Sequence, residues 1–146
     1  MNLLISRVKK GRVTIAGEVV SSIGRGIALF VGIDKGDRPS SLESLAEQVA
    51  NLRIFESEDG KIRYSVKDLG LEILCIPNFT LCATTDKGRR PSFANSMEYH
   101  QANKLFDDFI PVLEARGISV ESGVFGAYMN IDLKLDGPVN IIINSN

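Results

Sequence analysis

Apolar and polar positions first alternate near the amino end, where Val13-Thr14-Ile15, Ala16-Gly17 and Glu18-Val19-Val20 predict two strands joined by a tight turn. Gly24 to Gly26 punctuates the chain ahead of Ile27 to Ile33, an apolar run of strand length that reads as buried on both faces. The period then changes. Ser40 with Glu43 three residues on has the form of a capping box, and Leu42, Leu45, Val49 and Leu52 recur on one helical face. Glu58-Asp59-Gly60 marks a turn, and Leu71 to Ile76 predicts a central strand that stops at Pro77, which has no N–H to give to a ladder. Asn95 with Glu98 repeats the capping pattern and opens a second helix. Its apolar face carries Leu105, Phe109, Val112 and Leu113, its exit is Gly117, and Pro111 is expected to kink it. From Asn130 to Asp136 the alternation is clean, with Ile131, Leu133 and Leu135 on one side. Gly137-Pro138 is expected to break this strand, and Val139 to Ile143 resumes as another.

Strands gather at both ends of the chain and only two long helices separate them. This pattern predicts an α+β fold of two packed, mostly antiparallel or mixed β-sheets with a helical layer on one side, a β-β-α sandwich. The length, 146 residues, suits one domain over 1–146.

Composition narrows the class. With 44% hydrophobic and 24% charged residues the chain reads as an ordinary globular protein, and its longest apolar run is about a third of a bilayer crossing. The first residues lack a basic stretch ahead of an apolar run, so a cytoplasmic location is expected and no membrane partner. Cys75 and Cys82 sit in or beside an apolar segment, as buried reduced thiols would. The net charge of −1 gives no global field for a polyanion, and DNA is not an expected partner. Basic residues are nonetheless clustered, with Arg7, Lys9, Lys10 and Arg12 in one group and Lys87, Arg89 and Arg90 in another. Each group is either a solvated turn or a grip for a few phosphates.

Standard catalytic sets are missing. The single histidine, His100, has no triad pattern around it, the two cysteines are seven apart with no second pair for a metal, and Gly24-Arg25-Gly26 is a turn rather than a phosphate loop. Neither a metal nor a cofactor is expected. Three segments remain: Pro77-Asn78-Phe79-Thr80-Leu81 at a strand end, Lys87-Gly88-Arg89-Arg90-Pro91-Ser92-Phe93, and Gly137-Pro138-Val139. Taken singly they also read as a capped strand end, a solvated loop and a sharp bend.

In this order, together with Ile5-Ser6-Arg7-Val8, Gly17 to Gly24, Asn51-Leu52-Arg53-Ile54-Phe55 and Gly123 to Met129, they resemble the D-aminoacyl-tRNA deacylase family over essentially the whole chain. The resemblance implies a homodimer acting on the acceptor end of aminoacyl-tRNA. The reaction is hydrolysis of the ester to a D-amino acid, or to glycine, with L-amino acids rejected. It implies catalytic roles for Thr80, Phe79 and Asn78, substrate contacts from Gly137, Pro138, Phe125, Met129 and Arg7, and tRNA contacts from Lys87, Arg89 and Arg90, with Arg7 as a further candidate. In that family a Ser-Gln-Phe-Thr-Leu strand end faces a Gly-Pro of the partner subunit. Here Pro77-Asn78 replaces Ser-Gln, and Asn140 stands where a threonine is usual. These departures leave two alternatives: an editing relative that acts on an L-amino acid, and a non-catalytic RNA-binding dimer. Thr80 has two conceivable jobs, nucleophile or backbone donor. Because no base stands by to activate it, oxyanion stabilisation by the Phe79 and Thr80 N–H groups is the reading taken, with Gly137-Pro138 expected in the cis form.

Overall fold

β1 (Asn2–Ile15) turns at Ala16-Gly17 into β2 (Glu18–Ile23). Both turn residues have positive φ, 50° and 86°, so the hairpin is of the two-residue kind whose twist matches its strands. β3 (Gly26–Gly32) returns along the first half of β1, and a 3-10 turn at Pro39–Ser41 leads into α1 (Leu42–Asn51). A short ladder of β4 (Phe55–Glu56) and β5 (Ile62–Tyr64) follows, then β6 (Glu72–Pro77) and a second 3-10 turn at Phe79–Cys82. α2 (Tyr99–Glu114), β7 (Ser119–Ser122) and β8 (Asn130–Asn144) complete the order. The computed structural model describes residues 1–86 and 88–145. Among them, no helix is long and apolar enough to cross a membrane.

The main sheet is mixed, as the alternating pattern required. β3, β6 and β7 run parallel, while β1 is antiparallel to β2, β3 and β8. Successive side chains of β3 and β6 enter two different apolar clusters. Ile27, Leu29, Ile73 and Cys75 join the larger one, with Phe55 and with Phe106 and Phe109 of α2. Ala28, Leu74 and Ile76 join the smaller one with Val8, Val13 and Ile23. Both faces of these strands are therefore buried, which explains why their sequences lack alternation.

Several expectations are corrected. The α+β class holds, but instead of two sheets packed as a sandwich there is one six-stranded sheet and the small β4–β5 ladder. The reason is the length of β1 and β8, which pair from Asn2↔Asn144 to Thr14↔Asn130 and so serve both clusters. β1 begins well before Val13. Gly137-Pro138 does not end a strand: β8 runs through it, with the register stepping from Val8↔Leu135 to Ser6↔Asn140. β8 pairs only with β1, so Pro138 sits on an edge strand, where a missing N–H is tolerated. The Ser40 box is not formed, because Pro39 starts a 3-10 turn and Ser41, already helical at φ −86° and ψ −15°, becomes the cap without a side-chain bond. At the second helix the cap is Glu98 rather than Asn95, its carboxylate accepting from the N–H groups of His100 and Gln101. That helix continues through Pro111 to Glu114.

Candidate active site

β6 delivers the site. It ends at the buried Pro77, and the Asn78 N–H then donates to the Val31 carbonyl at 2.8 Å, which fixes where the chain leaves the sheet. The next residues form the 3-10 turn. The first N–H groups of such a turn have no acceptor within it, and here these belong to Phe79 and Thr80, whereas the Leu81 N–H already reaches the Asn78 carbonyl at 3.3 Å. Asn78 caps the turn: its Oδ1 accepts from the Thr80 N–H at 3.2 Å and from the Thr80 hydroxyl. Asparagine is among the strongest capping residues, so its short amide is used on its own turn.

Two cavities meet at Phe79, whose ring is 55% exposed. One, about 290 Å³, is walled by Val31, Ile33, Met97, Tyr99, Phe125 and Gly126 and is largely apolar. The other, about 390 Å³, holds Asn78, Thr80, Tyr128, Met129 and Ile131. Phe125 stacks edge-on with Tyr99 at 5.3 Å and leans on Phe106 at 6.1 Å. Gly126 has φ +76°, and a Cβ there would fall 2.6 Å from the Tyr99 hydroxyl. Only glycine fits between the two cavities.

Phe93 packs against Phe79 at 5.0 Å between ring centroids. It closes a loop whose ends are tied by the Thr84 and Ser92 backbone bonds of 2.9 and 2.8 Å, and on which Arg89 and Arg90 are exposed. Two of the expected cations therefore lie on the loop that Phe93 joins to Phe79. Lys87 lies outside the described residues.

The remaining expected residues are elsewhere. Gly137-Pro138, which is cis, and Arg7 lie together on the β1–β8 ribbon. They are roughly 20 Å from Thr80 in the same chain, counting three strand spacings across and about four residues along. Arg7 is 5% exposed. Its Nε donates to the Asp136 carbonyl at 2.9 Å and its Nη1 to the Ile54 carbonyl at 2.6 Å, with Glu56 at 3.5 Å and Asp136 at 3.6 Å as ion-pair partners. A guanidinium so engaged holds the segment before Gly137.

Chemically, the site offers backbone donors and apolar walls. The Thr80 hydroxyl donates to a neutral amide oxygen, which cannot serve as a base. His100 is exposed on α2, edge-on to Tyr99 at 5.3 Å. Burial pushes the Cys82 thiol up to about 11, with Asp34 adding to the effect, and burial alone pushes Cys75 higher still. At neutral pH both stay protonated, so neither is a ready nucleophile. Among the described residues no cluster of His, Cys, Asp or Glu could hold a metal. Sequence reading missed Tyr99 and Tyr128 as wall residues. Only Gly126 carried a signal, as a glycine inside an aromatic-rich segment.

The model of the family described as D-Tyr-tRNA(Tyr) deacylase matches residues 4–144. The chain is 46% identical over 145 residues to a D-aminoacyl-tRNA deacylase of Thermodesulfovibrio yellowstonii, covering 99% of each. It is also 46% identical to one of Aquifex aeolicus, covering 99% of this chain and 98% of that one. Among solved structures, one titled c-Myc DNA Unwinding Element Binding Protein matches at TM-score 0.93 and 38% identity, covering 100% of this chain and 99% of that chain. A second, a probable eukaryotic D-amino acid tRNA deacylase, shares the fold at TM-score 0.84 and 16% identity, covering 97% of each chain.

Proposed function

We propose that this chain, which belongs to the D-Tyr-tRNA(Tyr) deacylase family, hydrolyses the ester between a D-amino acid and the 3′-terminal adenosine of tRNA. The observation that carries the reading is the turn at Phe79–Cys82, which stands where two cavities meet, with the Thr80 N–H held by the Asn78 cap and, among the described residues, no partner on the Phe79 N–H. An aminoacyl ester needs little more. Water adds to the ester carbonyl, the Phe79 N–H stabilises the oxyanion with the Thr80 N–H sharing itself between the oxyanion and its Asn78 cap, and the acyl C–O bond breaks as the ribose oxygen takes a proton from the added water. The 2′-hydroxyl of the substrate helps deliver that water. Asn78 orients Thr80 through the cap, and Phe79 offers its exposed ring to the adenine, a stack worth about 1–3 kcal/mol. Phe125 and Met129 wall the two cavities, and Arg89, Arg90 and Lys87 contact phosphates at the acceptor end.

Selection of the D form is assigned to Gly137-Pro138 of a second subunit. Their distance from Thr80 within one chain supports an arrangement in trans, as does β8 itself, a 15-residue edge strand with Ile142 70% exposed. Main-chain atoms that reject an L side chain leave glycine acceptable, so glycyl-tRNA is a second substrate. Purified protein given D-tyrosyl-tRNA should release tyrosine, with activity following the dimer fraction. L-tyrosyl-tRNA should persist. Release from the L ester instead would point to an L-editing relative, and release from neither to a binding protein.

Thr80→Ala is expected to keep turnover within about tenfold of wild type, because the hydroxyl contributes only its bond to Asn78 while the N–H remains. Single-turnover assays with acid trapping would check this. An acyl-threonine adduct would show the hydroxyl to be the nucleophile.

A further inference from the structure

The outward face of the β1–β8 ribbon carries cations that the site does not use. The register sets Lys10 directly opposite Lys134 and Arg12 directly opposite Asp132. Residues two apart on a strand share a face, so these four side chains stand together, while Gly11 and Leu133 between them turn toward the smaller apolar cluster. Ser22, the partner of Arg12 on β2, extends the same face. Like charges directly opposed across a ladder cost stability. The acid in this group does not relieve them, because Asp132 is bound to Arg12 at 2.8 Å. Among the described residues neither lysine makes an ion pair, whereas neighbouring Lys9 reaches Asp136 at 3.9 Å. The group rims a shallow hollow of about 490 Å³.

β8 connects this hollow to the candidate site. Met129 and Ile131 wall the cavity that holds Thr80 from the inward face of β8, and Lys134 stands three residues beyond Ile131 on the outward face of the same strand. Lys134 also lies three residues before Gly137 on the same strand.

We infer that Lys10 and Lys134, with Arg12 beside them, bind the phosphate backbone of the substrate tRNA a few nucleotides back from its esterified end. This rests on the deacylase reading. A phosphate seated between the two lysines converts an opposed pair into a bridged one, which accounts for a pairing that is otherwise unfavourable. The patch is local on a chain of net charge −1, so it grips RNA already led into the site rather than any polyanion.

The test uses the full-length Lys10→Gln/Lys134→Gln variant, a charge-retaining Lys10→Arg/Lys134→Arg variant and wild type. Binding of uncharged tRNA is measured from 50 to 200 mM salt, alongside kcat/KM on D-tyrosyl-tRNA and on the short ester D-tyrosyl-adenosine. Neutralisation should lower the slope of log affinity against log salt by about 0.7–0.9, the share of one phosphate, and the tRNA-to-short-ester ratio of kcat/KM should fall roughly tenfold. Melting should be unchanged or higher, since a repulsion is gone, and the arginine variant should keep the wild-type slope. A folded glutamine variant with an unaltered salt slope and ratio would overturn the proposal. If wild type cleaves neither ester, the deacylase reading fails instead, and the binding slopes still decide whether the patch holds RNA.

Discussion

Gly26→Ala should fail to fold or should melt at least 10 °C below wild type. At this position β3 lies between Val8 of β1 and Glu72 of β6, and a Cβ would fall 2.0 Å from the Glu72 carbonyl oxygen and 2.9 Å from its carbon. Those are backbone atoms in a parallel ladder, so no rotamer change relieves the collision. The strands must separate where Ile27 and Ile73 fill the larger cluster and Ala28 and Leu74 the smaller. A loss of about 4 kcal/mol or more follows, at roughly 2–4 °C per kcal/mol for a chain of this size. Gly24→Ala is the natural control. Its added methyl meets only the Glu72 carboxylate, at 3.5 Å, a flexible group that can yield. Thermal melts of both variants should differ sharply, and equal melting points would mean that β3 and β6 are not so closely apposed.

Arg7→Met should cost about 3 kcal/mol and lower hydrolysis of D-tyrosyl-tRNA roughly a hundredfold in the protein that remains folded. The stability loss comes from stranding the buried Ile54 carbonyl and the half-buried Asp136 carbonyl without their donor and removing the closer of the Asp136 carboxylate's ion-pair partners. The loss of activity has a different origin. Arg7 holds the residue before Gly137-Pro138, and a displacement of about 1 Å in a positioning group can cost a hundredfold in rate. Arg7→Lys restores charge but cannot direct two bonds to two separate carbonyls, so it should recover only part of either loss. Urea titration and kcat/KM on the same samples separate the effects. Wild-type turnover by a folded Arg7→Met protein would remove Gly137-Pro138 from the active site.

What the sequence disclosed depended on whether local chemistry or tertiary contact decided the structure. The Ala16-Gly17 turn, both helices and the exit at Pro77 were readable because each is dictated by a few neighbouring residues. The first half of β1 was not, since Ile5, Ser6, Arg7 and Val8 are all buried and so show no alternation. β7 was missed for the opposite reason: its four residues are never fully buried and give no apolar signal. The reading of Gly137-Pro138 as a break was sound for an interior strand and failed because β8 is an edge. In the site, Asn78, Phe79 and Thr80 stood out as an unusual strand end. Tyr99 could not, because its place against Gly126 and Phe125 is set by how α2 docks.

The pairing of β1 with β8 has a consequence for synthesis of the chain. A ribosome makes the amino-terminal strand first and its partner last, with Asn2 waiting for Asn144. Until β8 emerges, β1 can pair along one side only, with β2 and β3, and its other edge stays open to any passing strand. The smaller cluster lacks Ile131 and Leu133 for the same interval. Vectorial folding therefore cannot finish domain-fashion from the amino end, and a nascent chain stalled before residue 130 is a half-built sheet with a long adhesive edge.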